Sequence, residues 1–255
     1  MKNHKIPKLT LVGAGPGDAE LITLKGIKAL QVADVVLYDA LINEELLTYA
    51  PVDAPKIFVG KKFGIHYLNQ QEINALIVKY ALKYGNAVRL KGGDSFVFGR
   101  GKEEIEYAES FGIETIVIPG LSSSLSVPAL QGIPMTHRGT SESFWVMTGT
   151  TQSHQLSNDI HLAVQSTATI VILMGMHKLA EIVAIFQEFN RQKTPVAIIQ
   201  NGSLAQEKVA IGAINTILEE VENQGLSSPA IIIIGETVKL GREWLANSLN
   251  EMILI

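Results

Sequence analysis

The sequence contains no cysteine. Disulfide staples, thiolate nucleophiles and cysteine-held metals are therefore excluded. Long apolar runs are also missing. The most hydrophobic stretches, Ile170 to Met174 and Ala230 to Gly235, are far too short to cross a bilayer. The basic N-terminal MKNHKIPK is followed by no apolar stretch of signal-peptide length, so a cytoplasmic protein with no membrane association is expected. An excess of positive charge is absent too. With 21 Lys and Arg against 25 Asp and Glu, the formal charge of −4 argues against a general nucleic-acid binder. The histidines show no metal-ligand spacing with carboxylates, and no metal site is expected.

What remains is ample core material: 47% of the 255 residues are hydrophobic and only 18% charged. Short β-rich runs alternate with helical patterns from end to end. Strands are expected at Leu9 to Gly13, Asp34 to Tyr38, Lys56 to Gly60, Asn86 to Leu90 and Thr115 to Ile118. Further strands fall at Phe144 to Met147, Thr169 to Met174, Val196 to Gln200, Lys208 to Ile211 and Ala230 to Ile234. Asn69 to Tyr84 places Ile73, Leu76, Ile77, Tyr80 and Ala81 on one helical face. Helices also fall at Thr23 to Val32, Glu103 to Phe111, Ser122 to Leu130, His177 to Asn190 and Ile214 to Asn223. Continuously apolar strands joined by helices imply an α/β protein with a mostly parallel sheet covered on both faces. The polar segment Ile133 to Ser143 marks a boundary, giving an N-terminal α/β domain over 1–138 and a C-terminal one over 139–255.

Two glycine-rich loops follow strands. The first, GAGPGDAE from Gly13 to Glu20, with VVLYD ending at Asp39, imitates a dinucleotide-binding unit. Asp18 occupies the place of the third glycine, Glu20 is near it, and Pro16 has no N–H to donate. A pyrophosphate needs bare backbone donors and a positive helix end, so these residues speak against one. No Gly-Lys-Ser/Thr follows to make a P-loop. The second loop, RLKGGDSFVFGRG from Arg89 to Gly101, puts a glycine pair and an aspartate at a strand end, which is how a small-molecule pocket is built in such folds. The bland alternative is a tight turn capped by Asp94 or Ser95. An adenosyl ligand without phosphates, such as S-adenosylmethionine, tolerates nearby carboxylates, and Gly92, Gly93, Asp94, Ser122, Ser123 and Met174 are suitable types for it.

The ordered series LVGAGPGDAELITLKG, VVLYD, VGKKFGIHYLNQQEIN, RLKGGDSFVFGRG, IPGLSSS and GIPMTHRG resembles the tetrapyrrole methylases. The resemblance continues through VMTGT, ILMGM, IIQNGS and SPAIIIIGE and covers nearly the whole chain. It implies two α/β domains with the active site in the cleft between them, a homodimer, and S-adenosylmethionine as methyl donor with S-adenosylhomocysteine as product. The implied reaction methylates uroporphyrinogen III twice to give precorrin-2, on the way to sirohaem or cobalamin. Cofactor contacts would fall on Pro16, Gly92, Gly93, Asp94, Val97, Ser122, Ser123, Met174 and Gly202. Asp39 and Lys61 match acid–base positions. The substrate's eight carboxylates call for a basic trough, for which Lys62, His66, Arg100, Lys102, His137 and Arg138 are the candidates; arginine's fork suits bidentate capture.

Departures from the family pattern are Ser95 in place of proline, Lys62 in place of arginine, Gln200 in place of glutamate, and Ser123 in place of alanine. A sister enzyme acting on a later cobalamin intermediate, a diphthine-synthase-like protein methylase and a non-catalytic ligand-binding module are the alternatives. The Tyr38–Asp39 and VGKK–FGIH segments favour the earlier tetrapyrrole step.

Overall fold

A computed structural model describes residues 6–60 and 68–246. Lys61, Lys62 and His66 lie outside the described residues. The chain divides into two compact units, Met1–Ser122 and Ser123–Ile255. Each is built on its own five-stranded sheet.

The first unit runs β1 (Lys8–Gly13), α1 (Leu24–Gln31), β2 (Val35–Tyr38), β3 (Lys56–Phe58), α2 (Gln70–Tyr84), β4 (Asn86–Lys91), α3 (Gly101–Glu109) and β5 (Glu114–Ile118). Its strand order is β3-β2-β4-β1-β5, and every pairing is parallel. Alternate residues of each strand feed opposite faces. Leu9, Leu11, Val35, Leu37 and Ala87 pack with Ile77 and Ala81 of α2 and Ile105 and Ala108 of α3. Val12, Val36, Val88 and Leu90 pack on the other face with Leu30 of α1. Helix α2 starts where the sequence says it should. Asn69 caps the Glu72 N–H at 3.0 Å, the Glu72 carboxylate answers to the Asn69 N–H at 2.7 Å, and Gly85 ends the helix at φ +108°.

The second unit runs α4 (Ser123–Leu130), β6 (Phe144–Thr148), α5 (Ile160–Ala163), β7 (Thr169–Leu173), α6 (Leu179–Glu188), β8 (Pro195–Gln200), β9 (Lys208–Ala213), α7 (Ile217–Gln224) and β10 (Ala230–Ile234). Strand order is β6-β7-β10-β8-β9. Here the expected parallel pattern gives way. Only β6 and β7 are parallel, while β10 runs antiparallel between β7 and β8, and β9 is antiparallel to β8. The short loop 201–207 contains no crossover helix, so β9 can only return beside β8 in the opposite direction. Helix α4, which the sequence reading placed before a boundary at 138, lies with this sheet: its Val127 packs with Val171, Ile231 and Ile233.

Candidate active site

In a fully parallel sheet all strands end at one edge. The loops after β1, β2, β4 and β5 therefore leave the first unit together. Strands β1 and β4 are neighbours, yet α1 follows β1 onto one face and α3 follows β4 onto the other. That divergence is a topological switch point, where α/β sheets open a crevice for ligands. Both glycine loops sit there.

The loops clasp each other through backbone. Gly15 N–H donates to Gly93 O at 3.2 Å, and Gly93 N–H donates to Gly15 O at 2.7 Å. Ala14 N–H donates to Lys91 O at 2.7 Å. Gly120, after β5, closes the third side: a side chain there would run into the Gly93 carbonyl and come within 2.7 Å of Gly13 main-chain atoms. Gly93, at φ +68°, is thus a clasp between loops. Pro16 and Gly92 are half-buried beside it, and Gly92 itself backs onto Leu41.

Asp94 turns the loop. Its Oδ1 accepts from Phe96 N–H at 2.8 Å and its Oδ2 from Gly120 N–H at 3.0 Å. The capping role weighed from sequence is real, but it leaves lone pairs on a half-exposed, acceptor-only carboxylate, suited to hydroxyl or amine donors of a ligand. Val97 is half-buried, Phe98 takes a left-handed φ of +54° with its ring exposed, and Ser122 is buried after β5. Ser95 is buried, and its hydroxyl has no hydrogen-bond partner among the described residues. Replacing Ser95 with alanine removes that unsatisfied group and is expected to stabilise the protein by about 1 kcal/mol. A denaturant midpoint that falls instead would show the hydroxyl to be satisfied.

Asp39 follows β2 at the same edge. Its Oδ1 caps the Leu41 N–H at 3.1 Å, and its Oδ2 faces Arg89 Nη2 at 3.4 Å. Behind it lies a charge cluster that the motif reading missed. Arg89 and Lys91 both point from β4 into the α2/α3 layer and converge on Glu104 Oε1, at 3.4 Å and 2.9 Å. Gln70 of α2 donates to the same oxygen at 3.3 Å and to Asn74 at 2.9 Å. All three charged side chains are nearly sealed from solvent. Burial lowers the Lys91 ammonium pKa, the Arg89 guanidinium adds to the drop, and Glu104 and Asp39 pull the other way. The signal was present in sequence: charges at alternate positions of an otherwise apolar strand are buried only when paired.

The other candidate cations are differently placed. Arg100, at φ +58°, is exposed and already holds Glu103 through two bonds, at 2.8 Å and 2.6 Å. That guanidinium lowers the Glu103 pKa. Lys102 faces Glu106 at 3.4 Å. His137 and Arg138 are exposed in the second unit, in a tight turn where His137 Nδ1 meets Thr140 Oγ1 at 3.1 Å. Within the described residues of the first unit, Arg89 bonds Asp39 directly and Lys91 feels its charge.

In the second unit, Ser123 opens α4. Met174 follows β7 with its side chain half-exposed and φ at +56°, a conformation that costs a non-glycine residue energy and often marks a ligand site. Its carbonyl accepts from Thr150 Oγ1 at 3.0 Å. Gly202 follows β8 and presses on Val127, leaving no room for a side chain.

A parallel sheet with interlocked glycine loops at its switch point, followed by a second, mixed sheet, defines a two-unit α/β protein with a candidate small-molecule crevice at the carboxyl edge of its first sheet. The chain belongs to the tetrapyrrole (corrin/porphyrin) methylases, whose family model matches residues 8–218. It is 46% identical over 235 residues to a uroporphyrinogen-III C-methyltransferase of Methanocaldococcus jannaschii, covering 91% of this chain and 97% of that one. It is 43% identical over 242 residues to a siroheme synthase of Actinobacillus pleuropneumoniae, covering 94% of this chain. The chain spans about half the length of that relative, 49%. The crystal structure of uroporphyrin-III C-methyltransferase from Thermus thermophilus complexed with S-adenosylhomocysteine superposes with a TM-score of 0.78 at 34% identity, covering 91% of this chain and 99% of that one.

Proposed function

We propose that this protein is an S-adenosylmethionine-dependent C-methyltransferase that methylates uroporphyrinogen III twice, giving precorrin-2 for sirohaem or cobalamin synthesis. The observation that carries the reading is the near full-length match to a uroporphyrinogen-III C-methyltransferase. The geometry supports it: the switch-point loops offer a half-exposed carboxylate acceptor at Asp94, a half-buried Gly92 with no side chain to bar approach and an apolar neighbour in Val97. Pro16, Gly92, Gly93, Asp94, Val97, Ser122, Ser123, Met174 and Gly202 are assigned to the cofactor.

Bound S-adenosylmethionine supplies an activated methyl group on a positive sulfur. An electron-rich ring carbon of the substrate attacks that methyl, the carbon–sulfur bond breaks, and S-adenosylhomocysteine leaves with the bonding pair. The ring gains the methyl and a positive charge, which it sheds as a proton; the cycle then repeats once. No protein nucleophile is required, which suits a chain without cysteine. The work left to the protein is alignment and charge. Asp39 is assigned to stabilise the cationic ring or take its proton, with Lys61 as its acid–base counterpart. Lys62, His66, Arg100, His137 and Arg138 are assigned to the substrate carboxylates. Arg100 would exchange Glu103 for a substrate carboxylate, a small loss because exposed pairs contribute about 0–1 kcal/mol. A homodimer is the expected assembly, checked by sedimentation.

Substrate choice tests the reading. The protein is incubated anaerobically with S-adenosylmethionine and, separately, uroporphyrinogen III, a later cobalamin intermediate or a protein acceptor. S-adenosylhomocysteine should be released with the first alone; release with either other acceptor and not the first overturns it. Asp94→Ala should weaken S-adenosylhomocysteine binding at least tenfold, equivalent to losing about 1.4 kcal/mol, with a smaller change in substrate affinity. Calorimetry finding the larger loss on the substrate side would reverse the assignment.

A further inference from the structure

Most buried charges in the first unit serve no step assigned above, yet they are costly to keep. Glu104 stands in the first turn of α3, where the helix favours a carboxylate. Only its Oε1 is used, by Arg89, Lys91 and Gln70; its Oε2 is buried with no partner among the described residues. A helix–sheet contact could be made by apolar side chains at less cost. What the ionic version adds is direction. Arg89 is held at three points: Nε by Glu104 at 3.4 Å, Nη1 by its neighbour Leu90 O at 2.9 Å, and Nη2 facing Asp39 at 3.4 Å. The β2–β4 register sets Leu37 beside Arg89 and Tyr38 beside Leu90, which brings Asp39, the next residue, to the carboxyl end of β4 within reach of the Arg89 guanidinium. A planar guanidinium fixed at one end has little freedom at the other.

We propose that Glu104 is a positioning residue, whose buried carboxylate locks Arg89 so that Arg89 orients Asp39 at the carboxyl end of β2. The proposal rests on the reading of Asp39 as the group that meets the methylated ring. Glu104 reaches the clasp only through the Lys91 side chain and has no bond to Gly15, Gly93 or Asp94 among its partners, so its effect should fall on turnover far more than on cofactor affinity. Lys91 donates to the same Glu104 oxygen as Arg89, and of the two only Arg89 is bonded to Asp39 among the described residues.

The test is a double-mutant cycle on methyl transfer to uroporphyrinogen III. Glu104→Gln should lower kcat about 10- to 100-fold, the scale of a misplacement of about 1 Å, with S-adenosylhomocysteine affinity within about twofold of the parent. In an Asp39→Asn background the same change should cost little more, because the path to the reaction is already cut. Arg89→Lys retains the charge for Glu104 but cannot fork between two carboxylates, so it covers the case in which Glu104→Gln does not fold. It should show the same loss and the same lack of additivity. An unchanged kcat in either folded variant, or losses that multiply with that of Asp39→Asn, overturns the proposal. If Asp39→Asn itself retains full turnover, or the parent transfers no methyl group to this substrate, it is the reading of the site that fails.

Discussion

Glu104→Ala is expected to destabilise the protein by about 3–5 kcal/mol, the cost of leaving a buried ion without its partner. The loss would be a large fraction of the about 5–15 kcal/mol that holds a typical fold. Glu104 is 1% exposed, and its one engaged oxygen serves both Arg89 and Lys91. Without it the two cations face each other inside the α2/α3 layer, with Asp39 as the remaining counter-charge. Lys91, whose pKa is already lowered, would give up its proton first. The comparison that isolates burial is Glu103→Ala, one residue earlier in the same helix turn. Glu103 also pairs with an arginine, at 2.6 Å, but both partners are about half exposed, and its removal should cost less than about 1 kcal/mol. Urea unfolding measures both, provided the slope is unchanged so that midpoints report stability. Equal costs for the two glutamates would mean that the buried cluster is hydrated and has been misread.

The second large effect is expected at Gly120. A β-carbon there meets the Gly93 carbonyl oxygen and lies 2.7 Å from the Gly13 Cα and carbonyl carbon. All of these are main-chain atoms, so no side chain can swing away. Gly120→Ala must push the β5 loop off the clasp or part the two glycine loops, at a cost of about 1–3 kcal/mol or more. The same shift pulls the Gly120 N–H from Asp94 Oδ2, a 3.0 Å bond that aims the carboxylate. S-adenosylhomocysteine affinity should therefore fall by at least about tenfold. Gly112→Ala is the control. A side chain there meets nothing within 4 Å, so its cost comes from the φ of +71° alone and should leave the cofactor untouched. Parent-like affinity in Gly120→Ala would mean that the clasp does not shape the cofactor site.

Much of this was legible in the sequence. Helical periodicity and capping residues located α2 to within a residue, and every strand of both sheets falls where apolar β-rich runs predict it. The glycine loops were legible because glycine at a strand end has few other uses, and Asp94 because it follows them directly. Strand direction in the second unit was not legible. β10 is as apolar as a parallel strand, since both of its faces are covered, by Phe186 and Ile182 on one side and Val127 on the other. Periodicity reports burial, and it carries no sign for direction. The α4 boundary escaped for a related reason: an apolar helix face that falls in sequence after one sheet and before another carries no mark of which sheet it packs on. Arg89 and Lys91 were read as the entry to a loop because they flank Leu90 and the glycines. Their alternation along an apolar strand was the sequence signal, and the parallel register, with Leu11 and Leu37 on either side of Arg89, shows that β4 is the central strand and its charges are interior.

The most direct measurement is methyl counting. Purified protein is incubated anaerobically with uroporphyrinogen III and S-adenosylmethionine carrying an isotopically labelled methyl group, and the macrocycle is weighed by mass spectrometry. Two labelled methyl groups per macrocycle, matched by two S-adenosylhomocysteine released, are the expected result. A macrocycle recovered without label, under conditions where the protein binds S-adenosylhomocysteine, would contradict the assignment.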